Sequence, residues 1–278
     1  MAATMTGRVV MVTGANAGMG KEIVLALAAM GAHVVMVCRD RARGEAARAQ
    51  AQQATRGADI GLLISDLSSQ QSIRDLVRDF KAGQDRLHVL VNNAGLTQRT
   101  RVQTVDGLES VFATNHLGPF LLTNLLLPVL TASAPARIVT VASGAHAMGK
   151  IDFDDLQSAK SYNEIRAYNQ SKLANLLFTY ELARRIAGTG VTANAADPGF
   201  VKTNLRVPFP YSIFSFMRGS AGDGAKPAVF LATSPEVAGV SGRYFNQKGE
   251  VSSSKLSHDE AAARRLWDVS LRLTHLAE

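Results

Sequence analysis

Val9-Val10-Met11-Val12 runs without a break into Thr13-Gly14-Ala15-Asn16-Ala17-Gly18-Met19-Gly20, and a helical pattern carrying Ile23, Leu25, Leu27 and Met30 among alanines starts at once. An unbroken apolar run this short, closed by glycines, reads as a strand buried on both faces. The turn that follows must hand the chain from strand to helix. It leaves the free N–H groups and the positive end of a helix dipole pointing beyond the strand, where an anionic group is favoured. The spacing G-x-x-x-G-x-G differs from the common dinucleotide fingerprint G-x-G-x-x-G. The turn taken alone therefore admits either a phosphate cradle or an ordinary tight connection. Its position at the first strand-to-helix crossing favours the cradle.

The same alternation recurs along the chain. Strands are expected near 8–13, 33–38, 60–65, 87–92, 137–142, 191–196 and 242–245, with helices near 18–30, 42–54, 69–82, 108–130, 166–187 and 224–232. Continuous apolar strands separated by helices imply an α/β fold, a doubly wound parallel sheet of about seven strands covered on both faces. At 278 residues and 46% hydrophobic, the chain can build one large core, so 1–278 reads as a single Rossmann-type domain. Sheets of this kind bind ligands beyond the carboxyl ends of their strands. Gly14, Arg39, Asp66, Asn93, Ser143 and Pro198 all fall at such ends.

Chemistry enters with Tyr168-Asn169-Gln170-Ser171-Lys172. Residues i and i+4 are neighbours on a helix, and Leu173, Leu176, Leu177, Tyr180 and Leu182 continue a helical period. An ammonium held beside a phenol favours the phenolate, so the tyrosine pKa should fall from about 10 toward the working pH, which suits a general acid/base. The bland alternative is a surface tyrosine lying on a lysine stem. A second clue lies in Cys38-Arg39-Asp40 after the second strand. An acidic residue closing this strand would take the ribose hydroxyls of NAD, whereas an arginine accommodates the 2′-phosphate of NADP. Cys38 holds the terminal position and Arg39 follows, so NADP is favoured over NAD. Asp40 is expected to cap the helix starting near Arg43.

Composition narrows the class. One cysteine, Cys38, excludes an intramolecular disulfide framework and fits a reducing cytoplasm. The longest apolar run, Phe120 to Leu130, is interrupted by Thr123, Asn124 and Pro128, and it falls short of the roughly 20 residues a membrane helix needs. The first residues lack the charged and apolar regions of a signal peptide. Net charge is +7, yet the basic residues are scattered over helix faces without interleaved aromatics. Attraction of an anionic cofactor accounts for that charge, and nucleic-acid binding is not expected. His88, His116 and His146 stand at no metal-ligand spacing, so metal catalysis is not expected either.

With these residues in place, the chain resembles a classical short-chain dehydrogenase/reductase over nearly its whole length. Thr13 to Gly20 matches that family's TGxxxGxG, Asn92-Asn93-Ala94-Gly95 its NNAG, and Ser143, Tyr168 and Lys172 its catalytic serine and YxxxK pair. Asn115 matches its structural and proton-relay asparagine, and Pro198-Gly199 with Thr203 its PG segment. Asn115 to Thr123, Ser171 to Phe178 and Glu181 to Arg185 resemble the retinol dehydrogenase and WW-domain oxidoreductase branch, with light-dependent protochlorophyllide reductase more distant. Pro119 departs from that branch, which usually has histidine there, and the amino-terminal membrane anchor of many members is not expected here.

The resemblance implies catalysis by Ser143, Tyr168, Lys172 and Asn115. It implies cofactor contacts from Gly14, Asn16, Gly18, Met19, Gly20, Arg39, Asp66, Leu67, Asn93, Ala94, Gly95, Tyr168, Lys172, Pro198, Gly199, Val201 and Thr203. Asp66 would meet the adenine amino group and cap the following helix, and the Asn115 carbonyl would hold a relay water at a helix kink. The implied function is an NADPH-dependent interconversion of an apolar alcohol and its aldehyde or ketone, running in the reductive direction because NADP is favoured. A reductase of a bulky ketone, quinone or activated double bond, a nucleotide-sensing protein without chemistry, and an interaction module are the alternatives. An aromatic, Pro-broken segment, Leu205 to Met217, falls where the family has a lid, giving a lid-like insertion near 204–224. His146, three residues past Ser143, is expected to be structural or to reach the substrate. Finally, Leu121, Leu125, Leu126, Leu176, Phe178 and Leu182 put more than one apolar stripe on two long helices, which predicts a homodimer through an exposed face.

Overall fold

A computed structural model describes residues 4–199 and 219–276. The strands are β1 (Val9–Thr13), β2 (His33–Cys38), β3 (Ile60–Ile64), β4 (Val89–Asn92), β5 (Ala136–Val141), β6 (Val191–Ala196), β7 (Tyr244–Asn246) and β8 (Gly249–Glu250). They form one sheet in the order β3-β2-β1-β4-β5-β6-β7-β8. Seven are parallel, and the short β8 returns antiparallel on β7, Phe245 facing Glu250. β8 went unforeseen because two residues carry no period; Gly249, at φ 113°, turns the chain back on itself. The strand order reverses between β1 and β4, and a cleft opens at their carboxyl ends for that reason.

The helices are α1 (Gly18–Ala29), α2 (Arg41–Ala54), α3 (Gln70–Gly83), α4 (Ser110–Phe112), α5 (Gly118–Ala132), α6 (Glu164–Arg185), α7 (Ala221–Thr233) and α8 (Glu260–Leu273). A π-helical stretch, Ala113–Leu117, interrupts what the apolar pattern predicted as one helix over 108–130. Two apolar layers flank the sheet. One packs Ile23, Val24 and Leu27 of α1 with Ala228 and Leu231 of α7, and the other packs Ile73, Leu76 and Phe80 of α3 with Leu121, Leu122 and Leu126 of α5. The expected lid lies outside the described residues up to 218. Its last positions are instead a helix start, with Ser220 and Asp223 forming a reciprocal capping box at α7.

The residues expected to form an exposed second stripe on α5 and α6 are mostly buried within the chain, some against α8 and others against α3 and the sheet. Leu121, Leu126, Leu176 and Leu182 have no exposure, Phe178 is 3% exposed, and Leu125 packs partly buried against the same cluster. Trp267 of α8 stands edge-on to Phe120 at 4.9 Å and stacks on Phe178 at 5.9 Å, with the Arg185 guanidinium 4.4 Å from its ring centre. α8 was missed by the sequence reading although its start is a plain N-cap, the Asp259 carboxylate accepting from the Ala262 N–H. Its apolar residues are few, and only the α6 surface shows what they are for.

Candidate active site

The turn between β1 and α1 is built for close approach. Gly14 has φ 65°, a left-handed conformation, and its N–H donates to the Val37 carbonyl at 2.9 Å. A Cβ on Gly20 would stand 2.2 Å from the Gly14 carbonyl oxygen and 2.6 Å from Asn93 Nδ2, so helix and turn touch without room for a side chain. Asn93 fastens the turn from the neighbouring strand: its Nδ2 donates to the Thr13 carbonyl at 2.8 Å and its N–H donates to Thr13 Oγ1 at 3.0 Å. The Ala94 N–H shares that hydroxyl, also at 3.0 Å. Thr13, which the sequence reading treated only as part of a motif, is thus the peg joining β1 to β4. α1 has Ala17 at its N-cap, with no side-chain cap and no acidic residue in its first turn. α2, α3, α6, α7 and α8 each have a capping side chain, from Asp40, Ser69, Asn163, Ser220 and Asp259. The N–H groups of α1 and its positive dipole end therefore remain available for an anion.

Tyr168 and Lys172 lie one helical turn apart near the start of α6, whose first turn is set by the Asn163 cap. The Lys172 Nζ sits 5.5 Å from the centre of the Tyr168 ring. It is buried, donates to the Val141 carbonyl at the end of β5 at 3.1 Å, and has its pKa pulled by desolvation from 10.5 down to about 8. Ser143 stands two residues beyond β5, half-buried, its Oγ accepting from the Ala145 N–H at 3.2 Å and so starting the 3-10 turn Gly144–Met148. The β5 end and α6 thus bring Ser143, Tyr168 and Lys172 to the carboxyl edge of the sheet.

Asn115 ties this group to the strand end of β4. Its Oδ1 accepts from the Leu96 N–H at 2.8 Å, while Nδ2 donates to the Leu96 carbonyl and to Ser171 Oγ, both at 3.0 Å. Ser171 in turn donates to the Tyr168 carbonyl at 2.7 Å. Asn115 falls in the middle of the π-helical stretch, and Pro119 gives a physical reason. A proline has no N–H, so the α-helical bond from residue 119 to the Asn115 carbonyl cannot form. The position that departs from the retinol dehydrogenase pattern therefore supports the kink that the resemblance called for.

The remaining expected contacts divide clearly. Arg39 is exposed at the end of β2, and Asp40 is occupied as a cap, its Oδ1 accepting from the Arg43 N–H at 2.8 Å. Asp66 does not cap α3: Ser69 does, and Asp66 holds the preceding turn by accepting from the Ser68 N–H and hydroxyl at 2.9 and 2.7 Å. Leu67 is buried beneath Gly118, and Asn16, Gly18 and Met19 line the first turn. Gly95 faces inward, with Asn115 Oδ1 and Lys172 Nζ 3.4 and 3.7 Å from where a Cβ would stand. Pro198 and Gly199 follow β6; Val201 and Thr203 lie outside the described residues. His146 is structural. Its Nδ1 donates to the Ser143 carbonyl at 2.8 Å and its Nε2 accepts from the Ser254 N–H at 3.0 Å, leaving neither nitrogen for a substrate. Among the described residues no three His, Cys, Asp or Glu side chains form a metal cluster, and no helix is long and apolar enough to cross a membrane. Cys38 is buried and its thiol is pushed up to about 11, which keeps it an inert core residue.

Fold and site together define a dinucleotide-dependent oxidoreductase scaffold, and the comparisons with known proteins name it. Residues 8–210 match the model of the short chain dehydrogenase family, and the chain belongs to that family. Within it, the chain falls in the retinol dehydrogenase branch. It is 45% identical to retinol dehydrogenase 14 of Homo sapiens, over 96% of this chain and 86% of that protein. It is 42% identical to retinol dehydrogenase 13 of Homo sapiens, over 99% and 86%. Among solved structures, an uncharacterized protein from Mycobacterium paratuberculosis superposes with a TM-score of 0.83 at 35% identity, covering 99% of this chain and 96% of that one. The Pseudomonas aeruginosa RhlG/NADP active-site complex gives 0.70 at 27% identity, over 87% and 95%.

Proposed function

We propose that the chain is an NADP(H)-dependent enzyme interconverting a hydrophobic alcohol and its aldehyde or ketone, working in the reductive direction. The observation that carries this reading is Lys172, a buried ammonium 5.5 Å from the centre of the Tyr168 ring and bonded to the Val141 carbonyl, two residues before Ser143. Burying a charge costs stability, and its place against the phenol is what a proton-transferring tyrosine needs. The retinol dehydrogenase names of the relatives support an apolar substrate.

The residues present fit a phosphorylated dinucleotide. The Gly14–Gly20 contact leaves no side chain between backbone and ligand, and the α1 N-terminus is uncapped, which suits a pyrophosphate. Arg39 is exposed at the β2 end with Asp40 already engaged, which suits a 2′-phosphate over free ribose hydroxyls. By family resemblance, Asp66 would meet the adenine and Lys172 the nicotinamide ribose. When bound, NADPH supplies the hydride. The Ser143 and Tyr168 hydroxyls donate to the carbonyl oxygen of the substrate and stabilise the negative charge that develops there. Tyr168 then gives up its proton to that oxygen, yielding the alcohol. Lys172 stabilises the phenolate left behind, and Asn115 holds Leu96 and α6 in register throughout.

An NADPH-consumption screen over apolar aldehydes, bulky ketones, quinones and activated alkenes tests the reading, with turnover expected on an apolar aldehyde or ketone. Tyr168→Phe should abolish turnover while a fluorescence titration finds NADPH binding nearly intact. Loss of both would make Tyr168 structural.

A further inference from the structure

Asp197 follows β6 and has no place in the set described so far. Strand register puts Val141 opposite Ala196, and the Val141 carbonyl is the one that receives Lys172 Nζ at 3.1 Å. Asp197 is the next residue. Its main chain is fixed by donating to the Phe245 carbonyl at 2.7 Å. Its Oδ1 accepts from the Gly199 N–H at 2.9 Å, and its Oδ2 accepts from the Tyr244 hydroxyl at 2.6 Å. A Cβ on Gly144, immediately after Ser143, would stand 3.6 Å from Oδ2. The carboxylate is therefore pinned between the catalytic serine turn and the strand end that anchors the lysine.

We propose that Asp197, acting through Lys172, is a positioning residue of the reaction: its carboxylate is the countercharge that keeps the buried ammonium protonated where the enzyme works. The consequence for catalysis rests on the oxidoreductase reading above. Among the described residues, Asp197 is the group whose charge opposes the burial of Lys172. Among the described residues packed on α6, the buried Glu109 that caps α4 spends its carboxylate on the Val111 and Phe112 N–H groups at that helix start. His116, in the π-helical stretch, is pushed by burial down to about 3, and burial also lowers His146 in the turn after Ser143, so both are neutral in the working range. Tyr244 on β7 is held well above the usual phenol range by burial and by Asp197, so it stays a proton donor to the carboxylate. Its ring is set edge-on against His146 at 5.2 Å. Glu181, Arg184, Arg185 and Glu260 pair with one another at the far end of α6. Tyr168, on the same helix, is the group the ammonium serves.

Asp197→Asn removes the charge and keeps both bonds, because an amide oxygen can accept from Gly199 and its NH2 can donate to the Tyr244 oxygen. Asp197→Ser, a second way to delete the charge, should behave alike. Tyr244→Phe removes a bond and leaves the charge. The full chain, with lysines isotope-labelled at Cε, is titrated by NMR, and the resonance missing from Lys172→Met identifies the group. It should titrate near 8 in the native protein. Asp197→Asn and Asp197→Ser should lower that midpoint by about one pH unit, and Tyr244→Phe should leave it nearly in place. The alkaline limb of kcat should move down with the midpoint. A folded Asp197→Asn protein with an unmoved Lys172 midpoint overturns the proposal, as do equal shifts from Asp197→Asn and Tyr244→Phe, which would mean scaffold and not charge. Absence of turnover on every carbonyl compound would defeat the oxidoreductase reading, while the NMR midpoint would still decide the countercharge.

Discussion

Replacing Lys172 with methionine should make the folded chain more stable while leaving it chemically dead. The side chain is buried, and its pKa is depressed from 10.5 to about 8 by that burial. At roughly 1.4 kcal/mol per pH unit, the depression corresponds to about 3 kcal/mol of destabilisation carried by the ammonium. Methionine has a similar length, fills the space and carries no charge. It also forfeits the charge-assisted bond to the Val141 carbonyl, which offsets about 1.5 kcal/mol or more of the gain. The net expectation at neutral pH is a gain of about 1–2 kcal/mol, a rise in Tm of a few degrees for a domain of this size. The pH dependence gives the sharper test. Below pH 8 both folded and unfolded chains hold the proton, and the full cost is in force. Between about 8 and 10.5 the unfolded chain binds more protons than the folded one, so native stability rises with pH and the advantage of methionine shrinks. Above that window the advantage is gone. Urea unfolding of both proteins across this range, followed by circular dichroism, measures the difference directly. A Lys172→Met protein less stable than the native one at neutral pH would refute the reasoning, as would a gain that does not diminish in alkali. The expected pattern would identify the lysine as a charge retained for chemistry at the expense of the fold.

Arg39→Ala should weaken NADPH far more than NADH, by roughly ten- to a hundredfold, since a charge-assisted phosphate contact contributes about 1.5–3 kcal/mol; equal effects in a fluorescence titration would contradict the assignment. Gly20→Ala forces a methyl against the Gly14 carbonyl and Asn93, and should cost about 1–3 kcal/mol in urea unfolding as an overpacked contact, with loss of dinucleotide affinity alongside. Because Leu121, Leu126, Leu176, Phe178 and Leu182 are already buried within the chain, light scattering at micromolar concentration should return a mass near 29.6 kDa; twice that mass would reveal a pairing surface elsewhere on the molecule.

Much of the site could be read in the sequence because its parts are local. The glycine turn is set by strand, φ > 0 and helix start within a dozen residues, and the Tyr168–Lys172 pair by one helical turn. β1 to β7 and the helices between them follow from apolar runs and their periods. Boundaries moved by a few residues: α6 starts at Glu164, two residues before its expected start, because Asn163 caps it. The helix expected over 108–130 was seen, but its π-helical interruption was not. That feature turns on which carbonyl loses a donor at Pro119, a detail that hydrophobic periodicity does not register.

What the sequence determined by itself is the ordered set of local devices: a glycine turn from a buried strand into a helix, a phenol one helical turn from an ammonium, and an arginine just past the second strand. Tertiary structure alone decided how charge and surface are disposed around them. Apolar stripes on α5 and α6 suggested a partner chain, and the fold shows that α8, far along the sequence, packs Trp267 on Phe120 and Phe178 of those helices. Asp197 and Tyr244 look like an ordinary strand end and an ordinary core aromatic until strand register sets one beside the lysine anchor and the other upon its carboxylate. Local motifs depend on neighbours a few residues away, which the chain order records. Burial and electrostatic pairing depend on neighbours brought together only when the sheet has formed.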